Sequence, residues 1–268
     1  MTERQVALPM YGGAPHAVQQ LWALLRPALR HQGVVGLPDL PAWPDDLHAH
    51  WLAPDLLLSQ SCGYPLTHSL QGKVRLVGCF HYAAPPCEGI DCRSVLIARE
   101  EHAHLPLKGF RHLRVAFNSA DSQSGYNALR AMVAPLAQRG AFFKASIETG
   151  GHRLSVNAVR EGRADLAAID GVTWALLQKH DAPATQGLSI IAHSAPYPGL
   201  PLISALNTDA RELAALQTAL RDLVQNPDAQ DAMDALLIKD FECPALSVYQ
   251  RCLDMEHSAL AHGYPTLA

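Results

Sequence analysis

Between Val6 and about residue 206 the chain alternates short apolar runs, polar turns holding Gly, Ser or Pro, and stretches whose apolar residues recur at helical spacing. Short apolar runs bounded by turn residues read as buried strands, and the amphipathic stretches between them read as helices lying on a sheet. The class is therefore α/β. Strands are expected at 6–10, 55–59, 74–82 and 94–99. The same logic restarts near Leu105, with strands expected at 113–118, 143–148, 165–169, 188–193 and 202–206. Helices are expected over 15–30, 125–138, 153–161 and 172–179, and again over 209–225, 227–238 and 245–262. Two α/β units joined by strands near 94–99 and 202–206 would cross twice. One lobe would then comprise 1–98 with 205–268, and the other 99–204.

At 268 residues the chain is long enough for two cores. Its 49% apolar and 17% charged residues and formal charge of −4 fit a globular protein without the basic patch of a nucleic-acid binder. No run of about 18 apolar residues is present, so no direct membrane insertion is expected. The start, Met1 to Gln5, lacks the basic and apolar parts of a signal peptide. As written, the chain is expected in the cytoplasm, or in the periplasm if an export segment was removed. The six cysteines, Cys62, Cys79, Cys87, Cys92, Cys243 and Cys252, do not imply a disulfide framework in a chain of this size. Cys87-x4-Cys92 lacks common zinc spacing, so buried or reduced thiols are expected and no metal. His48-x-His50 and His102-x-His104 are expected to be surface histidines.

Three turns that follow a strand and open a helix carry the chemistry. Asn118 to Tyr126 offers the hydroxyls of Ser122 and Ser124, the amide of Gln123 and the bare backbone of Gly125. Unpaired N–H groups at the helix start would complete an oxyanion cradle. The same residues would equally serve an ordinary capped helix, with Asp121 or Ser122 as the cap. Glu148 to His152 places His152 after two glycines, either as a donor to an anion or as a structural side chain. In the third turn Asp170 either caps its helix or accepts a hydrogen bond from a protonated ligand oxygen or an amine. Ligands of open α/β sheets sit at the carboxyl ends of strands, where all three turns lie. Tyr11, beside Gly12, and the loop from Gln60 to Tyr64 could wall a pocket from the other lobe. Ser122 with His152 would be a Ser–His pair without a clear third member.

In this order SQSCGYPL (59–66), SVLIARE (94–100), NSADSQSGYNALR (118–130), TGGHRLSVNAVREGRADLAAIDGVT (149–173) and PGLP (198–201) resemble the phosphate, phosphite and phosphonate substrate-binding proteins of ABC importers. The resemblance implies a two-lobed type II periplasmic-binding-protein fold with a ligand cleft between the lobes and two crossing strands. It places the family's ligand-binding serine cluster on Ser122, Gln123 and Ser124, its ligand histidine on His152 and its lobe-one loop on Gln60 to Tyr64. Cys92 stands where phosphonate-binding members carry a ligand-contacting Tyr, and Gln123 stands where they carry Thr. The expected protein is a monomeric, cofactor-free, non-enzymatic binder of a small anionic ligand. An importer's permease is its expected partner, or it acts as a cytoplasmic sensor. The alternative from another class is an enzyme on the same fold using His152 with Ser122 or a cysteine.

Overall fold

The structure, a computed structural model, describes residues 3–267. In chain order its first elements are β1 (Gln5–Ala7), α1 (Pro15–His31), α2 (Leu47–Trp51), β2 (Leu56–Gln60), α3 (Gly63–Thr67), β3 (Val74–Tyr82), β4 (Asp91–Cys92) and β5 (Ser94–Arg99). Next come β6 (Arg114–Phe117), a π-helical turn (Gln123–Asn127) continuing into α4 (Ala128–Val133), β7 (Ala145–Glu148), α5 (His152–Arg160), β8 (Leu166–Asp170), α6 (Gly171–His180), α7 (Ala182–Thr185) and β9 (Leu188–His193). The last are β10 (Tyr197–Pro198), β11 (Pro201–Ala205), α8 (Ala210–Gln225), α9 (Gln230–Leu236), β12 (Ile238–Glu242) and α10 (Gln250–Ala261).

The chain forms two compact units. The first comprises 1–83, 88–90 and 199–248, and the second 84–87, 91–198 and 249–268. Unit 1 is a sheet in the order β1-β2-β11-β3-β12. Its β2 is an unbroken buried run, Leu56 to Gln60, because it has a strand on each side. In α1 the residues Val18, Leu21, Trp22, Leu25 and Leu29 fall on one buried face, and Pro15 opens the helix where no N–H is needed. Asp209 caps α8 by accepting from the Glu212 N–H at 2.8 Å.

Unit 2 is a sheet in the order β7-β6-β8-β5-β9. Its central strands β5 and β8 are buried on both faces, and the two-residue period sorts their side chains. Val95, Ile97, Ala167 and Ile169 pack with Val156, Val159 and Trp174 of α5 and α6. Leu96, Ala98, Leu166 and Ala168 pack on the other face with Leu129 and Val133 of α4, Ala259 of α10, and Tyr264 and Leu267 beyond it. Because β6 runs parallel to both β7 and β8, the carboxyl ends of all three point to one edge of the sheet.

Four expectations are corrected. First, β5 does not link lobes: it is hydrogen-bonded to β8 and β9 inside unit 2, and β11 lies wholly within unit 1. The chain passes between units near 83–91, at 198–199 and again at 248–249, so α10 joins unit 2 and not the first lobe. Second, the helix expected over 227–238 stops at Leu236. Leu237 adopts a left-handed conformation (φ 58°) and the chain turns into β12, paired antiparallel with β3. Room for that strand is made by Gly78, where a Cβ would collide with the Phe241 ring. Third, His50 is not a surface residue: it is buried between Gln5 (2.7 Å) and Ser59 (3.1 Å). Fourth, Cys87 and Cys92 are not thiols but a disulfide closing the loop before β5.

Closing so short a loop should stabilise the protein by roughly 2 kcal/mol through the unfolded chain. We expect alkylation of the denatured, unreduced protein to label the four free cysteines, Cys62, Cys79, Cys243 and Cys252, and spare two. Cys87→Ser with Cys92→Ser should lower the melting temperature. Six labelled cysteines, or an unchanged melting point in the double variant, would contradict the pairing.

Candidate functional site

Unit 2 gathers its polar side chains at the edge where β6, β7 and β8 end. After β6, Ser122 is the cap residue: its Oγ accepts from the Gly125 N–H at 3.0 Å and its carbonyl accepts from the Asn127 N–H at 2.9 Å. That second bond spans five residues, which is why the helix opens on a wide π turn. The turn buries Ser122, Gln123, Ser124, Gly125 and Asn127 together. Gly125 is obligatory, since a Cβ there would collide with Asn118 Oδ1 and press on His152 Cε1 at 3.2 Å.

After β7, the Thr149 hydroxyl donates to the Phe117 carbonyl at 3.0 Å and accepts from the Ser155 hydroxyl at 2.7 Å, pinning the Gly150-Gly151 turn to β6. Gly150 takes φ +86°, a backbone conformation that suits glycine. The turn delivers His152, whose Nε2 lies 2.8 Å from Ser124 Oγ. Its Nδ1 is buried and, among the described residues, has no hydrogen-bond partner. Burial holds the imidazole below its ordinary pKa, with Asp170 pulling the other way, so the ring is neutral near pH 7. After β8, Asp170 caps α6: Oδ1 accepts from the Thr173 N–H (2.8 Å) and hydroxyl (3.2 Å). Among the described residues both of these contacts fall on Oδ1.

Sequence reasoning missed the residues that join this cluster from β5 and β10. Ser94 Oγ donates to the Ser124 carbonyl at 2.8 Å and lies 2.8 Å from the Tyr197 hydroxyl. Its N–H donates to Ser194 Oγ at 2.9 Å, and Arg93 donates to the Ser194 carbonyl at 2.8 Å. Ser94 is fully buried and is the one hydroxyl in the apolar strand Ser94–Arg99, which was a readable signal. Tyr197 gave none beyond its place before Pro198. Cys92 pairs with Tyr197 across β4 and β10, and Asp91 holds Arg251 of α10 through two bonds of 2.5 and 2.7 Å.

Of the residues expected to bind ligand, Ser122, Ser124, Gly125, His152 and Asp170 come together here. The Gln123 side chain is turned to α10, where its Nε2 donates to Met255 Sδ at 3.1 Å, while its Oε1 accepts from Asn127 at 2.8 Å. The Ser–His contact is made by Ser124 and not by Ser122 as the sequence suggested. Gln60 and Tyr64 lie in unit 1. Gln60 is buried, donates to the Tyr82 hydroxyl at 3.2 Å and leaves Oε1 without a partner among the described residues. Tyr64 stacks on His68 with ring centres 3.8 Å apart. The side chain of Tyr11 lies outside what the structure describes; its backbone ends a short 3-10 turn, Pro9–Tyr11. Among the described residues no group of three or more His, Cys, Asp or Glu is placed to hold a metal, and no helix is long and apolar enough to cross a membrane.

The model of the family "ABC transporter, phosphonate, periplasmic substrate-binding protein" matches residues 77–249, which is more than half of the chain. The chain belongs to that family. Its members are substrate-binding proteins and not enzymes. No curated protein sequence matches the chain. Among solved structures it is similar to PhnD1 of Prochlorococcus marinus in complex with methylphosphonate, with 15% identity, 96% of this chain and 97% of that one covered, and a TM-score of 0.76. A binding-protein component of a Pseudomonas aeruginosa ABC phosphonate transporter gives 16%, 98%, 88% and 0.74. A Xanthomonas citri protein bound to ATP gives 14%, 98%, 98% and 0.73. These likenesses establish the type II periplasmic-binding-protein fold expected from the sequence, here built from units 1 and 2.

His50 and His152 are both held below their ordinary pKa of 6.5 chiefly by burial, and this makes stability depend on pH. Below about pH 6.5 the unfolded chain takes up protons that the folded chain refuses, so stability is full above that value and is lost as the pH falls. The melting temperature of the ligand-free protein should decline between about pH 7 and pH 5, and replacing both histidines with Asn should flatten the decline. An equal slope in the double variant would place the pH dependence elsewhere.

Proposed function

We propose that this substrate-binding protein takes a small oxyanion of the phosphonate or phosphate type, held in unit 2 by Ser122, Ser124, Gly125, His152 and Asp170 with Ser94 and Tyr197. The observation that carries the reading is the 2.8 Å contact between Ser124 Oγ and His152 Nε2, which joins the turn after β6 to the turn after β7. Hydroxyl and imidazole donors converge there on a helix start whose N–H groups favour negative charge. Asp170 narrows the ligand further. A ligand that brings a proton on one oxygen, or an ammonium group, offers the Asp170 carboxyl group a donor, which a bare dianion cannot. The complex of PhnD1 with methylphosphonate supports the same class of ligand.

Membership of an importer family supports a permease as the partner, and the Cys87–Cys92 disulfide supports an oxidising compartment such as the periplasm. The test is a thermal-shift panel of phosphate, phosphite, methylphosphonate and an aminoalkylphosphonate, followed by titration calorimetry. A ligand at a hundred times its Kd should stabilise the protein by roughly 2.7 kcal/mol. His152→Ala should cost about 1.5–3 kcal/mol of binding, roughly a ten- to hundredfold loss of affinity. Affinity unchanged in His152→Ala would remove the histidine from the site, and no shift with any oxyanion would remove the ligand class.

A further inference from the structure

The π turn that presents the serines is not held by its own helix alone. Asn127, the last residue of that turn, is fully buried and its amide is shared among three elements. Its Nδ2 donates to Gln123 Oε1 and to the Cys252 carbonyl of α10, each at 2.8 Å, and its Oδ1 accepts from Arg130 at 3.0 Å. Arg130 is itself buried. It donates to the Pro265 carbonyl at 2.7 Å, pairs with Glu256 of α10 at 3.3 Å and lies over the Tyr126 ring at 5.5 Å. Gln123 is tied to α10 a second time through Met255.

A π turn carries one residue more than an α turn, and an isolated helix start would relax to the tighter form. Here the relaxed form would shift Asn127 along the helix and break its amide's bonds to Gln123 and Cys252 in a region that water does not reach. Each buried donor or acceptor left unpaired costs more than the bond it made. The π form also sets where Ser122 and Ser124 stand, since the Asn127 N–H is what the Ser122 carbonyl accepts.

We propose that Asn127 is a positioning residue for oxyanion binding, locking the Ser122–Ser124 turn in its π form against α10. This rests on the oxyanion reading above for its effect on affinity, but not for its effect on the turn. The experiment compares the wild-type protein with Asn127→Leu, which keeps the branched shape and loses the hydrogen bonds, and with Met255→Leu, which removes only the thioether acceptor of Gln123. Methylphosphonate and inorganic phosphate are the probes for calorimetry, and amide hydrogen exchange of residues 122–127 is followed without ligand. Asn127→Leu should exchange faster across the turn and bind the probes at least roughly tenfold more weakly per folded molecule, with Met255→Leu changed in the same direction by less. A merely structural Asn127 would lower the melting point while probe affinity per folded molecule held, and that result overturns the proposal. If Asn127→Leu does not fold, Met255→Leu decides: unchanged exchange in the turn and unchanged affinity overturn it. If the wild-type protein binds neither probe, the oxyanion reading fails, and exchange alone decides whether Asn127 sets the turn.

Discussion

Parallel pairing of β6 with both β7 and β8 is the constraint on which the polar site of unit 2 depends. Three parallel neighbours must end at the same edge of the sheet, and each must be followed by a turn that leads into a helix or its approach. Side chains of Ser122, Ser124, His152 and Asp170 are therefore gathered at that edge although they are far apart in the chain. The apolar strands and the two layers of helices serve that edge, because only a sheet covered on both faces can keep β5 and β8 fully buried. The hydrogen bonds of the turns then act where water is scarce, and the same scarcity makes each missing partner costly.

Much of this is legible in the sequence. The strands at 74–82 and 188–193 lie where their apolar runs put them, and the three turns that follow β6, β7 and β8 were each identified by a polar residue beside glycine or a helix cap. Local patterns report local structure, which is why those succeeded. The failures share a cause of the opposite kind. β12 became a strand because β3 offered an open edge beside Gly78, and nothing within 227–242 announces a partner some 160 residues earlier. The Cys87–Cys92 bond depends on how tightly the intervening loop turns, which spacing alone does not set.

The site shows the same division. Ser124 and His152, which lie 2.8 Å apart, are legible as candidates because each stands in a polar turn between a strand and a helix. Ser94 and Tyr197 enter through antiparallel pairing and a contact between distant segments, so their roles appear only when the strands are assembled. Gln123 had the right chemistry and the right neighbourhood, yet its side chain is turned to α10. Sequence names the groups that a turn contains. It does not say which way a long side chain points, because that is decided by packing partners from elsewhere in the chain.

The return of the chain to unit 2 after residue 248 has a consequence for biosynthesis. Ala259, Tyr264 and Leu267 belong to a core cluster of unit 2 whose other buried members lie between 96 and 168, so they leave the ribosome only after all of unit 1 has been made. A nascent chain thus carries an uncovered apolar face, and a π turn without its clamp, throughout the synthesis of α8, α9 and β12. Unit 1 is complete at residue 248, and the middle of the molecule, although made before the end of unit 1, closes last. Any factor that shields the growing chain must hold residues 96–168 until the segment beyond Tyr249 is free to dock.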